Sequence, residues 1–177
     1  MTSDPTCGVA HGHSPASPAP DRVLVAVFAS PVAAALLRMG VECGYRPVLV
    51  EPDATRPVPD GLPEGTVLAP GVSGLAGELA TGGADVVVCD HHRGELGEQL
   101  RDALARPVRW VGVMGNPHHE GPHLAALAAL GVPDADIARV HRPIGLNIGS
   151  RAPGEIAVAT LARLLADRAG RPGGFEF

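Results

Sequence analysis

The sequence predicts a single α/β domain in which a parallel sheet carries helices on both faces. Apolar runs without polar alternation, such as Arg22–Phe28 and Asp85–Cys89, read as strands buried on both sides. Helical segments separate these runs at a βαβ rhythm, which makes the sheet parallel and doubly wound. With 177 residues, 45% of them hydrophobic and 19% charged, the chain has enough apolar material for one ordinary core. Together these observations point to a Rossmann-like fold over residues 22–170.

Each element follows from local chemistry. Residues 1–21 are polar and rich in proline, serine and glycine, and are expected to form a disordered leader. The first strand is Arg22–Phe28. Pro31 suits the first turn of a helix that runs to about Cys43, and Gly44 suits its C-terminal cap. Pro47–Val50 forms the second strand and ends at Glu51-Pro-Asp53. A proline-rich connection over 54–65 leads to a short third strand near Thr66–Ala69. A glycine-rich helix is expected at 72–80, the fourth strand at Asp85–Cys89 and a helix at 94–105. The fifth strand is Val108–Met114, with a helix over 118–130, then a short helical turn and a brief strand. The last helix, 153–168, places Ala157, Thr160, Leu161, Leu164 and Leu165 on one face at helical spacing. The tail from Arg171 is expected to be loose.

Composition excludes several functions. The net charge is −5 and the isoelectric point near 5.9, which is no footprint for nucleic acid. All 14 basic residues are arginines, so a phosphate-loop lysine, a Schiff base and a lysine general base are ruled out. The three cysteines, Cys7, Cys43 and Cys89, have neither metal-ligand spacing nor a disulfide pattern, as expected of a cytoplasmic protein. No apolar run approaches the ~18 residues that a membrane span needs.

In an open parallel sheet the ligand crevice lies beyond the carboxyl ends of the strands. The first turn there, Phe28-Ala29-Ser30-Pro31-Val32-Ala33, lacks every glycine of a G-x-G-x-x-G motif, and Pro31 removes a phosphate-facing N–H. Dinucleotide binding is therefore expected to be weak or absent. Glu51, at the end of strand two, is spaced to take a ribose hydroxyl. Asp90 and His91 follow strand four, Gly115 and Asn116 follow strand five, and His141 and Arg142 follow the last brief strand. The histidines of this edge suit three uses. His119 and His123 are spaced for joint metal ligation with His91, any one of them suits acid–base work, and all suit exposed hydrogen bonding. No metal site is assigned on this spacing.

The most informative stretch is His141-Arg-Pro-Ile-Gly-Leu-Asn-Ile-Gly-Ser-Arg-Ala-Pro-Gly-Glu-Ile-Ala157. Gly145 and Gly149 flank Asn147, Pro153 opens the last helix, and Glu155 suits its positive end. The glycines are expected to border the functional crevice. This stretch resembles the signature H-x-PIGLDIGA-x-(T/S)-P-x-EIA of the XdhC/CoxI family, accessory proteins of molybdenum hydroxylases. The resemblance covers about residues 22–168, the Rossmann part of the family. Many members also carry a cysteine-bearing N-terminal segment, for which no room is expected here. Phe28 and Ser30 stand at the two glycine positions of the family's F-G-A-G-H-V segment. His91 matches its T-H-D/S element and Gly115 the glycine of its GS-R-R turn, while His118 and His119 replace arginines.

The resemblance implies a non-catalytic maturation factor that binds molybdenum cofactor (molybdopterin) and serves a xanthine or carbon monoxide dehydrogenase apoenzyme. Self-association as a homodimer is left open, while the net charge and the lack of a long apolar run argue against nucleic-acid and membrane partners. Arg142 or Arg151, with the N–H groups around Gly145–Gly149, would supply donors to a pterin phosphate. Two alternatives stand beside it: an NAD(P)-dependent oxidoreductase, and a degenerate Rossmann domain kept for dimerisation or docking.

Overall fold

The computed structural model describes residues 22–115 and 121–174. The expected leader at 1–21, Asn116, His118, His119 and the last three residues lie outside the described residues. Six parallel strands form one sheet: β1 Val23–Val27, β2 Arg46–Val50, β3 Val67–Ala69, β4 Ala84–Val88, β5 Trp110–Val113 and β6 Val140–His141. Their order is β3-β2-β1-β4-β5-β6, so the switch point lies between β1 and β4. The helices are α1 Pro31–Glu42, α2 Leu96–Leu104, α3 Pro122–Ala129, α4 Asp134–Ile137 and α5 Pro153–Arg168.

Strand alternation divides the core between the two faces of the sheet. Leu24, Ala26, Leu49, Val87 and Trp110 meet Leu36 and Leu37 of α1 and Ala157, Leu161 and Leu164 of α5. Val25, Val27, Val48, Val86 and Val113 point the other way, toward Leu96 and Leu100 of α2 and Leu127 of α3. Both faces are covered, which is why the strands read as unbroken apolar runs.

One expected element is absent. Residues 72–80 form only a 3-10 turn at Val72–Gly74 followed by turns. Leu75 and Leu79 are still buried at helical spacing. Gly71, Gly74 and Gly77 put a high backbone-entropy cost on a regular helix here. Gln99 of α2 fixes the turn by accepting the Val72 N–H at 2.9 Å. The helix expected at 118–130 is described from Pro122. The first residues of the expected loose tail are tied back onto α5. Arg171 N–H bonds the Ala166 carbonyl at 2.9 Å, and Arg163 donates to the Pro172 carbonyl at 2.7 Å.

At the amino end of the sheet a polar network locks α5 in place. Asp85 is fully buried and accepts from Tyr45 Oη at 2.8 Å, Arg168 Nε at 2.9 Å and Arg109 Nε at 2.6 Å. Arg109 also bonds Asp167. Burial first, then Asp85, push the Tyr45 hydroxyl up to about 12. A buried carboxylate needs such partners, and the three that Asp85 has join β4, β5, the α1–β2 turn and α5.

Candidate crevice at the carboxyl edge of the sheet

At the β1–α1 turn Phe28 has φ +74, a left-handed conformation that glycine adopts freely and phenylalanine does not. The turn therefore keeps a glycine-like backbone without the glycine. The Phe28 ring is fully buried among the side chains on the α2 face. Ser30 caps α1, its Oγ accepting the Ala33 N–H at 3.1 Å.

The crevice over this turn is filled by Glu51 and Arg93. One Glu51 oxygen accepts the Ala29 N–H at 2.8 Å and Arg93 Nη1 at 3.1 Å. The other accepts the Asp53 N–H at 3.0 Å and Arg93 Nη2 at 2.8 Å. Arg93 lies over the Phe28 ring, 4.6 Å from its centroid, and also bonds Glu95 at 3.0 Å. Burial alone raises the Glu51 carboxyl, but the bonds from Arg93, Asp53 and Ala29 outweigh it and hold the group below the usual carboxylate range. The ribose role expected for Glu51 thus meets a carboxylate whose oxygens are already engaged. Sequence reasoning passed over Arg93; the signal available was its place after strand four, across the switch point from Glu51.

A second group gathers at the ends of β4, β5 and β6. Arg142 lies against two glycines: a Cβ at Gly115 would stand 2.7 Å from its Nε, and one at Gly121 would stand 3.0 Å from its Nη1. The same Cβ at Gly121 would collide with Cε1 of His123. The missing side chains are what let the guanidinium and the imidazole approach the backbone. His123 is buried, and among the described residues its Nδ1 has no hydrogen-bond partner. Burial, then the Arg142 charge, hold His123 below the ordinary imidazole value. Burial, then His92 and Arg142, do the same to His91. Asp90 is engaged in its own turn, accepting the His92 N–H at 2.9 Å.

The other expected site residues lie apart from both groups. The His141 ring stacks on Trp110 at 4.9 Å, on the α5 face of the sheet. Gly145 faces α5, where its Cβ would be 3.4 Å from the Ala159 Cβ, and Leu146 N–H bonds the Ala159 carbonyl at 3.2 Å. The surface that Gly145 faces is therefore a helix, because the signature loop runs along α5. Asn147 and Gly149 are exposed on this loop, and Gly149 has φ +68. Asn116, expected beside Gly115, lies outside the described residues. Among the described residues no group of three or more His, Cys, Asp or Glu side chains could hold a metal.

The family description that matches this chain is that of the XdhC Rossmann domain, over residues 24–164. The chain is 36% identical over 77 residues to the uncharacterized protein YqeB of Escherichia coli (strain K12), spanning 44% of this chain and 14% of that protein. Its fold is similar to a crystal structure described as a xanthine dehydrogenase from Bacillus halodurans, with a TM-score of 0.67 at 20% identity. That likeness covers 90% of this chain and 46% of the other. The chain thus spans less than half the length of either relative.

Proposed function

Because the chain belongs to the XdhC Rossmann-domain family, we propose that it is a maturation factor handling molybdenum cofactor for a molybdenum hydroxylase, without turnover chemistry of its own. The observation that carries this reading is the family match over 24–164, which takes in all six strands and the signature loop. The site chemistry supports it. A pterin phosphate needs cationic and N–H donors, and Arg142 lies with His91 and His123 at one end of the sheet. In this reading the apoenzyme is the partner, and the cytoplasm is the compartment. No helix among the described residues is long and apolar enough to cross a membrane.

The described cysteines restrict the role. A sulfur-carrying cysteine works as a thiolate, yet burial pushes the Cys89 thiol up to about 12 and also raises that of Cys43. The reading is accordingly one of binding and transfer, and it assigns no sulfur-carrying role to Cys43 or Cys89. The oxidoreductase alternative has little to work with at the β1–α1 turn. Ala29 N–H is bonded to Glu51, Ala33 N–H to Ser30, and Pro31 has no N–H.

The test is a host strain lacking the gene, complemented with wild type, Arg142→Gln or Arg142→Ala, and scored for hydroxylase activity beside the soluble level of each variant. Hydroxylase activity should fall about tenfold or more in the Arg142 variants at equal soluble level, the loss expected of a charge-assisted phosphate contact. Full activity with a soluble Arg142→Ala protein would remove this cluster from the function.

A further inference from the structure

The Glu51–Arg93 pair has the chemistry of an anion site already holding its anion. A carboxylate accepts four bonds, two from main-chain N–H groups and two from one guanidinium. The Ala29 N–H belongs to the turn that, in folds of this strand order, faces a bound phosphate. The guanidinium reaches it from the β4–α2 loop on the other side of the switch point, so one side chain bridges the crevice. Both partners are withdrawn from solvent, the Arg93 side chain being 7% exposed and that of Glu51 12%. Phe28 beneath keeps the left-handed backbone that directs the next N–H into the crevice, and its ring carries the Arg93 plane.

We propose that Glu51 is a built-in anion that closes this crevice by occupying the Ala29 N–H and Arg93, and that a phosphate-bearing ligand of the nucleoside diphosphate class binds only when that carboxylate is displaced. The contact is autoinhibitory. A phosphate oxygen and the Glu51 oxygens compete for the same donors, and the internal carboxylate is covalently held in place, so its effective concentration is high. Removing the carboxylate leaves a buried guanidinium and an N–H without their acceptor, a pairing with a strong preference for an oxyanion. Glu95 remains on Arg93 Nη2 and limits the gain without abolishing it.

The inference is independent of the proposed cofactor role, which rests on Arg142, His91 and His123 at the ends of β4, β5 and β6 along the same edge. Its test is calorimetric titration of the full chain with ADP and with inorganic pyrophosphate. Wild type, Glu51→Ala, Glu51→Gln and Glu51→Ala/Arg93→Ala are compared, with a thermal melt of each. Glu51→Gln removes the charge, keeps one acceptor oxygen for one of the two main-chain N–H groups, and serves if Glu51→Ala fails to fold. The expected result is affinity at least tenfold tighter than wild type for a folded Glu51 variant, and loss of that gain in the double variant. A folded Glu51→Gln protein that binds both ligands no better than wild type overturns the proposal. So does a wild-type protein that binds ADP as tightly as the variants, or a gain that survives loss of Arg93.

Discussion

Phe28 holds a backbone angle that its own side chain disfavours, and the surrounding packing is what keeps it there. Phe28→Gly would relieve about 1 kcal/mol or more of backbone strain, but would empty a fully buried ring site whose loss costs about 3–5 kcal/mol. The net expectation is a destabilisation on the order of 2 kcal/mol in urea unfolding, and the strain argument fails if the loss matches a plain cavity. Restoring glycines at 28 and 30 leaves the Glu51–Arg93 clamp in place, so the pair alone should not create dinucleotide affinity. His123 tests the electrostatics. Its folded imidazole binds a proton less readily than its unfolded one, so its contribution to stability is whole above the ordinary value of 6.5 and is lost as pH falls below it. His91 and His141 are shifted the same way. The rise of Tm from about pH 5.5 to about pH 7 should be shallower in His123→Asn than in wild type. An unchanged slope would contradict the assignment, whatever the variant does to Tm itself.

The signature loop and α5 act as one unit. Helix α5 is preceded by Ala152, which caps it without a side-chain acceptor. Ser150 compensates in part, its Oγ bonding the Ala152 N–H and the Glu155 carboxylate. Ala152→Thr should stabilise the protein by about 0.5–1 kcal/mol in denaturant unfolding; no change would mean that Ser150 already supplies the cap. Gly145 faces this helix with a negative or extended φ and ordinary contact space at Cβ. Gly145→Ala should accordingly be near neutral, whereas Gly145→Val should press on Ala159 and Thr160 and cost about 1–3 kcal/mol. The sequence showed that two glycines bracket a fixed loop. It did not show which surface the loop approaches, because Gly145 reads the same whether its neighbour is a ligand or a helix.

Across the molecule, strand placement and order of elements were legible because buried parallel strands are apolar without alternation, and Pro31 and Pro153 mark helix starts. The turns at 72–80 were not, since Leu75 and Leu79 keep helical spacing while the glycines remove the helix. The crevice was legible in its position but not in its contents. Glu51 stood out by spacing, yet its partner Arg93 comes from 42 positions later and is found only by folding the chain. The same holds at the amino end, where Asp85 meets Arg168 from 83 positions away. Asp85→Ala would strand two guanidinium groups and should cost about 3–5 kcal/mol, with Asp85→Asn milder. We propose that this XdhC-family domain carries a pterin cofactor and keeps its dinucleotide turn closed. Native mass spectrometry of the chain purified from its own cells tests it most directly. The expected result is a bound mass matching molybdopterin or its molybdenum form; a bound NAD(P), or a chain that never carries a pterin, would overturn the proposal.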